Sequence, residues 1–583
     1  MKYEMLGAAS LDGAVLEKEL PGASMPDIVL LASALDVRPD DLDANGNLKD
    51  LPPPVFGPYV EDEFEFKSIH PGSLFDLGAE DGAEINSGWC PGGSASGGVC
   101  KPFNNNRTHW MSTYSGVRNL PIHMAILPGT HNSAFDKQAS TAPSSEVCQD
   151  VSPHVQLNSG IRVLDIRVQY FSGYPVGHPS RFSIFHSTTN GRTVQYDIVR
   201  GVKSYRYGQG WDRRREIVIL DFHEFKNFTV AAHAELISIL KTSFGDSIIS
   251  PTYKELSISQ IWRLPGYKNT VIAYNNGARD SSFWPGVNQR WIGSNTPSES
   301  QLKAFIDRVG SESKPAGELR SIQAARYVLP FFVPKDMSGQ LMSWFAAGSA
   351  GHPIMKYFII NCDWSLRHRL VDNIIHSNYF RAQALGLQDL KYLNAGDPAI
   401  QGTSPVRHAM LSINNQHWAA RVTLPPIVDD EPHRLLVCSD ADAEIQLDLQ
   451  GSDVALEHVT LVKGDALAFV CLDGSRRWAL QVQECTPAEQ GHSIPAPGDG
   501  EKFIRYAISH GNYAPLVSLP KLAEANSVVM VVSIALLETR IRDGLGPNDF
   551  EHVIRPGETC AFTYDAETGS WSLESVMKNV ITD

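Results

Sequence analysis

The sequence predicts a multidomain chain: an α/β barrel followed by two all-β, sandwich-like repeats. Three observations predict it. The 583 residues are too many for one hydrophobic core. Between about 115 and 385, short apolar runs of β type alternate with longer segments of helical spacing. Beyond 400, one stretch of sequence recurs.

Composition sets the outer bounds. The chain is 42% hydrophobic and 20% charged, the balance of an ordinary folded protein. Lys and Arg number 50 against 65 Asp and Glu, a formal net charge of −15. Such a balance argues against nucleic-acid binding, which needs a basic surface. It also makes any attachment to an anionic membrane a local matter. The opening MKYEMLGAASLDGAVLEKEL is broken by acidic residues and lacks the apolar core of a secretory signal. The longest apolar run, Val528 to Leu537, is too short to span a bilayer and reads as a buried strand. No transmembrane segment is expected, and the chain reads as soluble, secreted or peripheral to a membrane. Eight cysteines are few for this length, and none has zinc-site spacing with histidine. Cys90 and Cys100 bracket a Gly/Ser-rich loop, either as a local disulfide or as two thiols. Acceptor sequons stand at Asn106 and Asn227.

Residues 1–112 read as an irregular region, punctuated by Leu-Pro-Pro-Pro at 51–54, with a short helix over Asp27–Leu35. Residues 113–390 carry the alternating pattern. The strand candidates are Met124–Leu127, Val163–Val168, Phe182–Phe185, Ile217–Leu220, Thr270–Ala273, Ala325–Phe332 and Tyr357–Ile360. Ala231–Thr242 and Glu299–Val309 have helical spacing. A parallel sheet of this length suits a closed β/α barrel, whose chemistry sits where strands end. Residues 400–490 and 496–583 form the repeats. Gly464 recurs as Gly557 and Trp478 as Trp571, the same 93-residue offset (557 − 464 and 571 − 478). "VTLPP" at Val422 recurs as "VSLPK" at Val517. Both copies are rich in β-branched residues and Gly/Asp turns, as β-sandwich modules are.

Polar residues collect at the strand ends of the barrel region. His131 follows the first run, Asp165 and Arg167 lie on the second, His186 follows the third, and Asp221 and His223 end the fourth. Two histidines can move protons on both sides of a phosphorus atom, and a guanidinium can neutralise the phosphoryl oxygens between them. Asp165 and Arg167, two apart on a strand, share a face. Asp221 and His223 also share one, with Glu224 opposed.

The segment "AILPGTHNSAFD" resembles the first catalytic strand of phosphatidylinositol-specific phospholipase C X-type domains. "GIRVLDIRV", "FSIFHST" and "EIVILDFHEF" follow in that family's order. "VIAYNN", "FWPGVNQRW" and "YFIINCDW" resemble its later strands. The resemblance covers about 115–385 and implies a distorted TIM barrel. It places His131 as general base, His186 as general acid, Arg167 on the phosphoryl oxygens and Asp165 as their orienting carboxylate. Asp363 falls where the family has a carboxylate that orients the base. Asn132, Asp221, His223 and Glu224 are implied substrate contacts, and Trp284, in a Pro/Gly loop, either flanks the substrate or packs in the core. Asn132 departs from the bacterial pattern, which has Asp there, and matches a calcium-dependent branch. In that alternative Asn132 and Asp165 would be calcium ligands; Arg167 on the same strand favours a site with no metal or other cofactor.

The implied function is cleavage of phosphatidylinositol, or a related inositol phospholipid at a membrane surface, through a cyclic inositol phosphate. One alternative is a related phosphodiesterase acting on glycerophosphodiesters or sphingomyelin. Another is a binding protein on a degenerate barrel. A glycan or protein ligand is an alternative role for the β modules, whose Trp478 and Trp571 read foremost as packing residues.

Overall fold

In the computed structural model the described residues are 93–96, 99–102, 107–141, 143, 145–207, 212–329, 332–347, 351–387, 390–395, 406–498, 501–543 and 551–578. The expected helix at Asp27–Leu35, Cys90 of the candidate disulfide and the Asn106 sequon lie outside them. The chain divides into two units. One comprises Met1–Ile249 and Lys268–Gln388, the other Ser250–Tyr267 and Asp389–Asp583.

The first unit is built on parallel strands, with a small hairpin of β1 (Gly93–Ser96) and β2 (Val99–Pro102) before them. The strands are β3 (Leu127–Thr130), β4 (Val163–Tyr170), β7 (Val218–Lys226), β8 (Thr270–Tyr274), β9 (Trp284–Pro285), β10 (Asn288–Arg290), β11 (Arg320–Ala324) and β14 (Ile359–Cys362). They run in the order β10-β11-β14-β3-β4-β7-β8-β9, every neighbouring pair parallel. No ladder joins β9 to β10. The single run of chain from Trp284 to Arg290 pairs with β8 by its start and with β11 by its end, so covalent backbone closes the ring. This is a distorted TIM-like barrel. Helices Val230–Phe244 and Glu299–Ser311 form where helical spacing is read in the sequence. The second is opened by a capping box of Ser298 and Gln301.

Two further strands leave the ring. β5 (Phe182–Phe185) pairs antiparallel with the far end of β4, and β6 (Thr189–Thr193) pairs with β5. A minor pair, β12 (Tyr327–Val328) and β13 (Val333–Pro334), follows β11. Among the described residues of the apolar run Ala325–Phe332, only that short β12 forms a strand. The ring strand is the preceding Arg-Ser-Ile-Gln-Ala of β11, whose Ser321 and Gln323 are buried polar residues and dilute the apolar signal.

The opposite, N-terminal ends of the strands are closed by ion pairs. Arg162, just before β4, and Glu216, just before β7, form a fully buried pair with an Nη2–Oε2 distance of 2.6 Å. Glu216 also accepts hydrogen bonds from the backbone of Met111 and Ser112.

The second unit holds two copies of one topology. Each has a five-stranded sheet beside a three-stranded sheet. In each large sheet the central strand, His433–Ser439 or Val528–Ser533, has a parallel neighbour on one side and an antiparallel neighbour on the other. Trp478 and Trp571 are both buried, and their indole N–H groups donate to Pro425 and Pro520 at 2.8 and 2.7 Å. The run Val528–Leu537 is a buried strand only to Ser533; Ile534, Leu536 and Leu537 are exposed. The segment Ser250–Tyr267 belongs to this unit through specific bonds. Gln260 donates to the carbonyl of Ala409 at 2.9 Å, and Ser257 Oγ lies 2.8 Å from His408 Nε2. Nothing in its composition marks it as separate from the barrel sequence. Among the described residues, no helix is long and apolar enough to cross a membrane.

Candidate active site

The C-terminal ends of the parallel strands surround a cavity of about 460 Å³, within the usual range for a small-ligand site. His131, Arg167, His186, His223 and Glu224 all line it.

His131 is the first residue after β3, and Asp363 the first after β14, the neighbouring strand. That adjacency brings His131 Nδ1 to 2.7 Å from Asp363 Oδ1. The backbone of the turn is fixed from below, since Gln149 Nε2 donates to the carbonyls of both His131 and Cys362. Asn132 follows with φ of 46°, a left-handed conformation that asparagine tolerates well. This turn aims its backbone N–H at Asp165 Oδ2, 3.0 Å away, while its side-chain Nδ2 sits 3.2 Å from His131 Nε2.

His186 reaches the same cavity by a different route. β4 runs past the rim of the ring, and β5 returns antiparallel along it, so the residue after β5 comes back to the mouth. The turn is held by Glu146, whose Oε2 accepts from the backbone N–H groups of Ser187 and Thr188. The imidazole stands edge-on to Phe135 with centroids 5.6 Å apart. Burial, then the nearby charges of Arg167 and His131, push His186 down to about 3.

β4 and β7 supply the rest. Asp165 is opposite Asp221 in register, but the pairing slips one residue further on, and Arg167 lies opposite Glu224. His223 is thus the extra residue of a β-bulge. The expected alternation would turn Glu224 away from His223. The bulge instead lets both line the cavity, with Glu224 Oε2 3.2 Å from Arg167 Nη1. His223 Nδ1 lies 2.6 Å from Asp165 Oδ1. Burial alone would raise the Asp165 carboxyl, but the charge and contact of His223, helped by Arg167, hold it well below the usual range. Burial would lower His223, and the Asp165 charge overrides it to raise the imidazole. Asp221 is fully buried behind them, pushed up to about 7 by desolvation, and accepts from Gln289 Nε2 at 2.6 Å.

Of the residues expected from sequence, His131, Arg167, His186, His223 and Glu224 face the cavity, while Asn132, Asp165, Asp221 and Asp363 stand buried behind them. Trp284 is not among the lining residues. It is 1% exposed and donates Nε1–H to the carbonyl of Ile249 at 2.8 Å, as a core residue does. Trp291, further along the same loop, lines the cavity in its place, with Gln289, Asn295, Gln323 and Tyr327. Gln289 lies in the "FWPGVNQRW" motif, and the period-2 face of a ring strand would have singled it out. Tyr327 begins the short β12, and its apolar run gives no sign that it faces a cavity.

Asp165, Asp221 and His223 each bring one donor atom within 4.8 Å of the others. Asp165 already meets His223 and the Asn132 N–H, and Asp221 already accepts from Gln289. Calcium takes six to eight oxygen ligands, a poor match to two engaged carboxylates and an imidazole beside a guanidinium.

Comparison with known proteins gives two separate likenesses. Residues 408–482 and 501–575 each match the sequence model of the β-sandwich domain of metalloprotease StcE. The chain is 22% identical over 244 residues to PI-PLC X domain-containing protein 1 of Homo sapiens, covering 36% of this chain and 71% of that one. It is 22% identical over 228 residues to PI-PLC X domain-containing protein 3 of Mus musculus, covering 36% and 70%. A mutant phosphatidylinositol-specific phospholipase C from Staphylococcus aureus superposes with a TM-score of 0.36 at 11% identity, covering 47% of this chain and 98% of that one.

Proposed function

We propose that the protein is a phosphodiesterase of the phospholipase C type that cleaves phosphatidylinositol or a related inositol phospholipid without a metal. The observation that carries this reading is the meeting of His131, His186 and Arg167, remote in the sequence, around one cavity at the strand ends. The likeness to PI-PLC X domain-containing proteins supports it.

In the proposed reaction His131 Nε2 removes the proton of the inositol 2-hydroxyl, and Asp363 on Nδ1 fixes the ring and its tautomer. The 2-oxygen attacks phosphorus. Arg167 neutralises the phosphoryl oxygens as the phosphorus–diacylglycerol bond breaks. His186 gives its proton to the departing oxygen, and the products are a 1,2-cyclic inositol phosphate and diacylglycerol. Asp165 keeps His223 in place beside Arg167.

The test is a panel of phospholipids assayed in EDTA and then with added calcium. Phosphatidylinositol should be cleaved in EDTA with release of a cyclic inositol phosphate. His131→Ala and His186→Ala should each lower turnover by about 10²–10⁴-fold while the fold survives. Near-normal turnover in both variants removes the reading. Loss of activity in EDTA with rescue by calcium moves it to a metal-assisted phosphodiesterase.

A further inference from the structure

The two β repeats differ sharply at one loop. In the first repeat the strand His433–Ser439 runs into 440–444; in the second Val528–Ser533 runs into 534–538. Backbone bonds show that the two loops are equivalent residue by residue. Gly464 N donates to Ser439 O and Gly557 N to Ser533 O; Asp440 N donates to Ile413 O and Ile534 N to Ile508 O. Burial agrees too. Ala441 and Ala535 are buried at 0 and 2% exposure, and the residues around each are exposed. The exposed positions hold Asp440, Asp442, Ala443 and Glu444 in one loop and Ile534, Leu536, Leu537 and Glu538 in the other. The fold therefore needs only the alanine. It does not need three large aliphatic side chains 63, 71 and 61% exposed to water.

We propose that the 534–538 loop is a membrane anchor, with Ile534, Leu536 and Leu537 entering the apolar layer of a phospholipid surface. Charge agrees with that occupant. The acidic tip of the first repeat would be repelled by anionic lipid. After the second tip Arg540 and Arg542 pair with Glu551 and Arg555 pairs with Glu538, so this loop lacks the acidic surplus of the first. An exposed loop of aliphatic side chains with no aromatic residue suits a fluid hydrocarbon layer, which needs no complementary groove, better than a protein interface, where aromatics are enriched. The choice of a lipid surface rests on the proposed phospholipid substrate.

The experiment transplants one tip onto the other in the full chain. Flotation is measured with vesicles of phosphatidylcholine alone and of phosphatidylcholine mixed with phosphatidylinositol. Ile534→Asp, Leu536→Asp and Leu537→Ala together copy the first repeat's tip, a sequence this topology already carries. They should lower the vesicle-bound fraction at least about tenfold. Asp440→Ile, Asp442→Leu and Ala443→Leu, added to that variant, should restore part of it. Equal flotation of the wild type and the triple variant overturns the proposal. So does absence of flotation in both, or loss of self-association without any change in flotation. A water-soluble inositol phosphodiester, cleaved by the wild type and the triple variant alike, reads the catalytic proposal separately. Flotation without turnover of any substrate would sink that reading and leave the anchor standing.

Discussion

At the residue scale the site turns on what Asn132 is not. His186 has to carry a proton to act as the acid, yet burial and the neighbouring Arg167 guanidinium hold it down to about 3. Above that value the protonated fraction of the free enzyme falls tenfold per pH unit, so kcat/KM should rise as pH is lowered over the range in which the general base stays unprotonated. A carboxylate at position 132 would add negative charge to this cluster, where the Asn132 amide now sits 3.2 Å from His131 Nε2. Asn132→Asp keeps a residue type that accepts φ of 46°, so the turn should survive. It should raise His186 and move the alkaline limb of the kcat/KM profile upward by about one pH unit or more, measured on a soluble inositol phosphodiester. An unmoved limb would mean that another group gives the proton. His131, His186, Asp165 and Arg167 were legible because each sits beside an apolar run that ends in a polar residue. Glu146 and Gln149 were not, because they act through backbone groups of residues 18 to 213 positions away.

At the scale of elements, β8 was legible because both its faces are apolar, and β4 because Val163, Leu164, Ile166 and Val168 keep the run apolar around Asp165 and Arg167. β4 and β8 fall where the sequence reads them. β11 is displaced because Ser321 and Gln323 point inward, and a hydropathy pattern cannot tell an inward glutamine from a loop. The bulge at His223 is equally silent, since an extra residue in one strand shows only when its partner is aligned with it. Close packing inside the ring gives a prediction for β3. A Cβ on Gly129 would fall 1.9 Å from Asn361 Oδ1 and 3.3 Å from Ile359 Cγ2, on the neighbouring strand. Gly129→Ala must therefore displace the buried Asn361, and overpacking of this kind costs about 1–3 kcal/mol. The urea midpoint should fall accordingly, and turnover should fall further than stability because His131 is two residues away. An unchanged midpoint would show that the strand has room to spare.

At the scale of the whole molecule, the repeat was legible from its glycines and tryptophans, and the equivalent indole bonds to Pro425 and Pro520 give the physical reason those residues recur. Trp478→Ala and Trp571→Ala should each cost about 3–5 kcal/mol in unfolding of the β unit, by similar amounts, because each empties the same kind of buried site. Sugar binding by these two indoles is excluded by their burial at 2 and 4% exposure. Net charge makes the final prediction. A chain at −15 approaching vesicles that contain phosphatidylinositol meets like charge. A protein held to such a surface by basic residues dissociates as salt is added. One held by Ile534, Leu536 and Leu537 has nothing to lose from screening and a repulsion to shed. Between about 0.01 and 0.15 M salt the Debye length shrinks from about 30 to about 8 Å, which cuts off most of the long-range repulsion and leaves apolar insertion intact. The vesicle-bound fraction should therefore rise with salt over that range, and the rise should vanish on neutral phosphatidylcholine. A bound fraction that falls as salt is added would assign the attachment to the arginines instead.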